Sequence, residues 1–281
     1  MSDTNGRTHT YHAEATILDG FLRLPIEREV KPLGMVALSE KGGYRTERVK
    51  DFHLEEVLSY RSAYTQVAGN HDVKPGHGWA TLTTVVVEGL NVLEVLTADR
   101  VVGQIITDHP LVGYVPHVSF LGTRFDNLRI AGHPVKVELD AHILGTKPAD
   151  DGPYSLDSGV KARVAAQYDR IRKQDSLPAD LEERYNSLSS TLGSREAVEC
   201  SLVNQAAGSY HGQTYGHVIR VPHFGTINLA KVTVTHDDFK EGTNIPEKTT
   251  IRLTMLDLEL GCAISGGVGV GTGSTNGHSH P

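Results

Sequence analysis

The chain has 281 residues, of which 38% are apolar and 22% charged, and its 27 basic and 34 acidic side chains give a formal net charge of −7. A chain of this length can bury a core that folds without disulfides or metals. The acidic balance argues against a nucleic-acid partner, because binding phosphates requires a concentrated surface of lysine and arginine. The sequence has no apolar run of about 18 residues, so membrane insertion is not expected.

The first part of the chain mixes one clear strand with segments rich in turn residues. Residues 1–10 are predicted to be a flexible N-terminal tail, and His12–Leu24 is predicted to be a strand because its apolar residues alternate. Residues 25–43 are predicted to be an extended connection. Phe52–Tyr64 fits either a short helix or two strands, and Thr65–Gly78 is predicted to be a surface loop because glycine, proline and asparagine recur in it.

The next part of the chain is the most strand-like. It has short runs of valine, isoleucine, leucine and threonine separated by glycine or proline, which is typical of an antiparallel sandwich or barrel. Six strands are predicted, at Trp79–Glu88, Leu90–Thr97, Arg100–Thr107, Val118–Leu121, Asn127–Ala131 and Pro134–His142. In the last of these, apolar residues occupy one face, and Lys136, Glu138, Asp140 and His142 occupy the other.

After a polar loop at Thr146–Ser158 the apolar spacing changes from two residues to three or four. This period predicts an amphipathic helix over Ser158–Gln174, with Ser158 as its N-cap. The same period resumes after Pro178, where acidic residues fill the first turn. We therefore predict an αα-hairpin at residues 158–190, inserted between β segments.

Strand patterns then return. Four further strands are predicted, at Ala197–Gln205, His217–Pro222, Thr226–His236 and Thr249–Ala263. In the last two of these the apolar positions change parity, at Ala230 and after Met255, which indicates a β-bulge or a strand buried on both faces. The glycine-rich residues 265–281 are predicted to be a flexible tail.

The predicted fold is therefore mainly β, an antiparallel sandwich or barrel in one domain over residues 11–264, with the helical insert at 158–190. Cys200 and Cys262 both lie in apolar strand patterns and are predicted to be buried free thiols. If their strands are neighbours, the two cysteines could instead form a disulfide in an oxidising compartment.

Two groups of polar residues are candidates for chemistry. The first is Tyr210, His211, Tyr215 and His217 in a glycine-rich turn, where rings and imidazoles line either a pocket or a self-association patch, or form an ordinary polar loop. The second is the polar face of Pro134–His142, on which Glu138, Asp140 and His142 could form an acid/base set at a barrel mouth. A solvated strand face is the more common explanation of such a pattern.

Other kinds of site have weaker support. Neither an HExxH motif nor paired cysteine ligands occur, so no cofactor is predicted. The alternative is a divalent metal held by His71, Asp72 and His77 in the turn-rich loop, while His278 and His280 could bind only an adventitious metal. The sequence also has no GxSxG nucleophile elbow, and the glycine-rich end lacks the strand–turn–helix context of a phosphate-binding loop. Catalysis is therefore not the leading expectation.

Two stretches, residues 85–105 and 118–139, resemble the choice-of-anchor P family of bacterial surface proteins. The matching residues are Gly89, Leu90, Asn91, Leu93, Thr97, Ala98, Asp99, Val101, Phe120, Gly122, Thr123, Phe125, Asn127, Leu128, Ile130, Gly132, Pro134 and Val135. Residues 225–277 echo that family more loosely. The resemblance implies an extracellular β module without a catalytic centre, and it assigns no functional residues. This chain departs from the family's pattern in three ways: no signal peptide, no C-terminal anchor, and the helical insert. The absence of a signal peptide predicts a cytoplasmic location, whereas the resemblance implies the cell surface or the extracellular space as the alternative.

The sequence therefore predicts a non-catalytic, structural or self-assembling bacterial β protein whose open strand edges and glycine-rich tail contact copies of itself or a surface. The alternative is a small-molecule-binding or enzymatic β-barrel whose pocket is lined by histidine, tyrosine and carboxylate groups. A metal-binding protein is the third possibility.

Overall fold

The structure is a computed structural model that describes residues 8–24, 27–71, 78–148, 151–194, 197–238, 247–261 and 265–280. Strands account for 60% of it and helices for 11%. This confirms the prediction of a mainly β fold with two helices.

The described residues form twenty strands and two helices, which are numbered here in chain order. The first twelve strands are β1 (Thr8–Thr10), β2 (Ala13–Leu24), β3 (Arg28–Leu33), β4 (Val36–Ala37), β5 (Gly43–Leu54), β6 (Leu58–His71), β7 (Trp79–Val92), β8 (Leu96–His109), β9 (His117–Ser119), β10 (Arg124–Asp126), β11 (Arg129–Ile130) and β12 (His133–Leu139). The remaining elements are α1 (Ser158–Arg172), α2 (Ala179–Thr191), β13 (Ala197–Ser201), β14 (Val203–Gly208), β15 (Gln213–Tyr215), β16 (Val218–Val221), β17 (Gly225–Asp237), β18 (Lys248–Gly261), β19 (Ser265–Thr275) and β20 (His278–His280).

Most of the strands belong to two nine-stranded antiparallel sheets. The first sheet runs in the order β14-β12-β11-β8-β7-β6-β5, with β9 and β10 beside β8. The second runs in the order β15-β16-β17-β18-β19-β2-β3, with β13 beside β17 and β4 beside β2. The first and last strands of each sheet do not pair with each other. Within the described residues, the two sheets therefore form a sandwich and neither closes into a barrel.

The sheets face each other mainly through their longest strands, with β2 over β6 and β7, and β19 over β7 and β8. Threonine and glycine let the two layers approach closely. A Cβ atom on Gly103 of β8 would lie 2.8 Å from Met255 Cγ and 3.5 Å from the carbonyl oxygen of Gly271. A side chain at position 103 would therefore collide with Met255, and glycine lets the two layers pack closely at this point.

The parity change in β17 and β18 is confirmed, but it does not arise from a shifted register. Ala230 has φ +46° and Gly271 has φ +70°, and the two lie on either side of Met255 in one row across three strands. Pairing before and after this row keeps the same register. The strands therefore kink together, and each buries residues of both parities around the kink.

The prediction of a flexible tail at residues 265–281 is wrong over Ser265–Thr275. This segment is β19, an interior strand that pairs with β18 on one side and β2 on the other. Neighbouring side chains occupy the space beside some of its glycines. A Cβ on Gly269, for example, would lie 2.6 Å from a carboxylate oxygen of Asp19. The predicted N-terminal tail is also ordered at its end, because β1 pairs with β20.

The undecided segment Phe52–Tyr64 forms two strands, since β5 and β6 are a hairpin. The prediction of a loop at Thr65–Gly78 is wrong over Thr65–His71, because β6 continues to His71. Residues 72–77 lie outside the described residues. Gly69 serves close packing rather than a turn, since its Cβ would lie 2.6 Å from the Tyr11 ring. The predicted connection at 25–43 contains the short strands β3 and β4.

The strands predicted at Trp79–Glu88 and Leu90–Thr97 are divided in the wrong place. Gly89, with φ +66°, lies inside β7, and the chain turns instead at Leu93 and Glu94, which have φ +52° and +57°. Consecutive positive φ values are the signature of a type I′ turn, which usually requires glycine or asparagine. Here the Asn91 side chain supports the turn by accepting a hydrogen bond from Glu94 N at 2.9 Å.

The αα-hairpin is confirmed, with α1 and α2 covering residues 158–172 and 179–191. The N-cap of α1 is Asp157 rather than Ser158, because the Asp157 carboxylate accepts a hydrogen bond from Val160 N at 2.8 Å. The helices of the described chain are too short and too polar to cross a membrane.

Candidate functional site

A cleft of about 320 Å³ lies where α1 crosses the end strands of both sheets. Its lining comes from α1, from β14 of the first sheet and from the turn around Thr214–His217 of the second sheet. Since β14 and β15 each end a sheet, the cleft is a gap between two sheet edges that the helical insert covers.

Gln167 attaches α1 to this gap. Its amide nitrogen donates to the carbonyl oxygens of Ser201 at 2.9 Å and Val203 at 3.3 Å, and its amide oxygen accepts from Ser201 N at 2.9 Å. One turn further along, Arg170 donates to the backbone and side-chain oxygens of Asn204 at 3.1 and 3.0 Å. These bonds satisfy backbone groups of Ser201, the last residue of β13, and of Val203 and Asn204, the first residues of β14.

His217 lines the inner end of the cleft and is buried. Its Nε2 atom lies 2.9 Å from the hydroxyl of Tyr185 on α2, while Nδ1 is buried with no hydrogen-bond partner among the described residues. Burial lowers the pKa of His217 to about 3, and the positive charge of Arg184 acts in the same direction. The imidazole is therefore neutral at pH 7, with one nitrogen uncommitted.

A charged network lies behind His217. Arg184 donates to Glu199 at 2.9 Å, and Lys231 lies 3.3 Å from the other oxygen of the same carboxylate. These two cations hold the pKa of Glu199 below its ordinary value in spite of burial. The neighbouring Cys200 is a buried free thiol, as predicted, and burial raises its pKa to about 12. Cys262 lies outside the described residues.

The predicted cluster around Tyr210–His217 does not form one site. Tyr210 bonds Thr214, and Tyr215 bonds Gln213 and the carbonyl oxygen of Ser176, the latter at 3.3 Å. Both hydroxyls are used to fix the turn. His211 instead lines a separate, open cleft of about 840 Å³ with Arg220 and Glu259. Of the four predicted residues, His211 and His217 therefore line different clefts, and the two tyrosines line neither.

The acid/base set predicted on Pro134–His142 also does not lie on one strand face. β12 ends at Leu139, and Asp140 accepts a hydrogen bond from His142 N at 2.9 Å in the turn that follows. Glu138 forms an ion pair with Lys136 at 2.6 Å on the exposed side. None of these side chains lines the cleft beneath α1.

The metal candidates are described only in part. His71 ends β6 with its ring 5.3 Å from that of Trp79, whereas Asp72 and His77 lie outside the described residues. Among the residues that are described, no three histidine, cysteine or acidic side chains gather closely enough to hold a metal. The metal site remains a prediction.

Sequence reasoning missed a cluster of rings where the two terminal strands meet. His9 of β1 stacks on Trp79 at 5.0 Å and lies 4.6 Å from the ring of His109. His109 is buried, and burial together with the nearby His9 and His278 lowers its pKa well below the ordinary value. The sequence pattern predicts flexibility for the segments that carry His9 and His278, so it gives no sign that they pair.

The other feature that sequence reasoning missed is β5, which ends the first sheet. Among the described residues this twelve-residue strand pairs with β6 alone, and it is exposed on both faces from Gly43 to Arg48. Tyr44 is 58% exposed, and the guanidinium of Arg48 lies 5.8 Å from the centre of the Tyr64 ring on β6. A signal was present in the alternation of charged and uncharged residues after Gly43.

Comparison with known proteins gives one relationship. No curated protein matches the chain, and no solved structure matches it either. The profile of one family, described as a domain of unknown function (DUF8256), matches residues 9–235. The match runs from β1 almost to the end of β17 and covers about four fifths of the sequence. The chain therefore belongs to the DUF8256 family.

Proposed function

We propose that this protein is a non-catalytic structural protein that associates with copies of itself. The observation that carries the proposal is β5, a twelve-residue edge strand exposed on both faces over half its length. The outer backbone of an edge strand presents unpaired N–H and C=O groups, which a strand of another chain can pair.

The other sheet ends offer less room for a partner strand. Gln167 and Arg170 of α1 bind the carbonyl oxygens of Val203 and Asn204 at the start of the six-residue strand β14. β15 is only three residues long, and β3 contains Pro32, which has no N–H to donate. Of the four sheet ends, β5 is therefore the one best suited to pairing.

The test is the mass of the full chain in solution. We expect sedimentation velocity and light scattering to detect an oligomer whose fraction rises with protein concentration over about two decades. A monomer at every concentration would overturn the proposal. Deletion of residues 265–281 is not a usable comparison, because it removes the interior strand β19.

A second candidate function is the binding of a small carboxylate in the cleft beneath α1. The cleft volume falls at the lower end of the range for ligand sites. The observation that favours it is the buried Nδ1 of His217, which has no partner in the described part of the chain, beside a cavity that Arg170 also lines. A guanidinium and a neutral imidazole together suit a carboxylate.

Malonate is a suitable probe, with chloride at equal ionic strength as the control. We expect malonate to shift the NMR signals of the His217 ring, and the R170Q variant to lose that response while keeping its fold. Equal responses to malonate and chloride would remove this candidate and would leave the self-association proposal untouched.

A further inference from the structure

We propose that two copies of this chain pair through β5, antiparallel and in one register, with the two-fold axis at Thr46. The inference rests on the proposed self-association and deepens it, because it names the partner, the strand and the residue pairs. It follows from the shape of β5, from the charges along it and from the ring beside Arg48.

The shape of β5 limits which part of it can pair. Its register with β6 is regular from Gly43 to Lys50, and Asp51 then takes φ +49°. On the other side, Gly42 and Gly43 have φ +82° and +103°. The regular segment is therefore Tyr44–Lys50, and Thr46 lies inside it. A partner strand centred on Thr46 pairs residues 44–48 of both chains within this segment, since positions opposite each other lie at equal distances from the axis.

Opposite charges meet in this register. Arg45 lies opposite the partner's Glu47, and by symmetry Glu47 lies opposite the partner's Arg45. The two Thr46 side chains face each other, which is a favourable cross-strand pair. All three residues are exposed in the single chain, so their side chains are available for these contacts.

Neighbouring registers bring like charges together. An axis on Glu47 places the two Glu47 carboxylates opposite each other, and an axis on Arg45 does the same for the two guanidiniums. Like charges directly opposite are destabilising, so the charges of β5 oppose both of these registers and favour the Thr46 register. An axis between two residues does not arise, because residues directly opposite each other in an antiparallel pair point to the same face of the sheet.

The same register provides a contact for the exposed ring of Tyr44. Arg48 already lies 5.8 Å from the centre of the Tyr64 ring, on the β6 side. In the pair of chains, Tyr44 of the partner subunit lies opposite Arg48 on the other side. The guanidinium then lies between two tyrosine rings on one face of the joined sheet, an arrangement that cation–π attraction favours.

Charge reversal tests the register. R45E places a carboxylate opposite the partner's Glu47, and E47R places two arginines opposite each other, so each variant alone should weaken the dimer at least about tenfold. A mixture of the two variants restores both opposite-charge pairs, as does the double variant R45E/E47R. We expect sedimentation velocity to show dimers again in both cases.

The matched control is E29R, a charge reversal on β3 at the exposed end of the other sheet, and it should leave the dimer unchanged. Circular dichroism and the melting temperature check that every variant is folded. If the chain dimerises but R45E and E47R dimerise equally well, the register is wrong and self-association stands. If the unaltered chain is a monomer throughout, both proposals fail.

Discussion

His109 and His217 are both held neutral by the protein around them. Each is buried, and removal from water lowers the pKa of an imidazole because the charged form loses its hydration. His109 has two further histidines nearby, and His217 has Arg184, so positive charge acts in the same direction as burial. The folded chain therefore takes up these two protons only at a much lower pH than the unfolded chain.

This difference predicts a dependence of stability on pH. The unfolded chain begins to bind a proton at each site near pH 6.5, whereas folded His217 does so near pH 3. As the pH falls below 6.5, each histidine should reduce the free energy of unfolding by up to ~1.4 kcal/mol per pH unit. Urea unfolding between neutral pH and one unit below 6.5 measures this slope before most carboxylates titrate.

The variants H109Q and H217N should each flatten that slope. H71Q is the matched control, because His71 lies at the exposed end of β6. A slope that is identical in all four proteins would contradict the assignment of neutral imidazoles to the fold.

At the scale of elements, the αα-hairpin binds the backbone where the chain passes from β13 of the second sheet to β14 of the first. Gln167 makes three hydrogen bonds to the backbone of residues 201 and 203, all of them buried. In a β-sheet these groups would be paired by a neighbouring strand. Here one amide side chain pairs them, which lets a helix pack where the sheet ends.

Replacing Gln167 by methionine keeps the volume but leaves these backbone groups unpaired. We expect the free energy of unfolding to fall by ~2–4 kcal/mol, because each buried unpaired group costs about 1–3 kcal/mol. Chemical denaturation measures it. Q205A, at an exposed position of β14, should change it by less than about 0.5 kcal/mol. A Q167M protein as stable as the parent would show that water pairs these groups instead.

The sequence predicted those elements whose pattern is local. The helices follow from apolar spacing, and the change of parity at Ala230 and Met255 is visible in the residue pattern and marks the kink. β19 was missed because its glycines are set by neighbours far along the chain, such as Asp19 and Thr83, which occupy the space that side chains would need. The turn at Leu93 was missed because the Asn91 side chain, rather than a turn residue, supports it.

The residues of the cleft beneath α1 could be predicted only in part, because many of its contacts join residues that are far apart in the sequence. His217 was among the candidates because its residue type and its glycine-rich surroundings suggest a pocket. Its partner Tyr185 lies 32 residues earlier on a helix, and His9 bonds Ser279, which is 270 residues away. Contacts of this kind follow from the tertiary fold, and they produce no residue spacing that can be recognised in a single sequence.

For the whole molecule, pairing through β5 has a definite end point. A two-fold contact uses the same strand on both chains, so the dimer leaves no second copy of that surface free. At the other end of that sheet, α1 binds the carbonyl oxygens of Val203 and Asn204, the first residues of β14. The proposed assembly is therefore a closed pair whose first sheets run continuously into one another, and it does not grow into a filament.

The pairing of β1 with β20 determines how the fold responds to mechanical force. Thr8 lies opposite His280, and further in, Ala13 lies opposite Thr275 at the start of the β2–β19 pair. A force that pulls these two neighbouring ends apart acts perpendicular to the strands. The hydrogen bonds between the strands then bear the force one at a time and break in sequence. The sandwich is therefore mechanically weak when it is stretched from its ends.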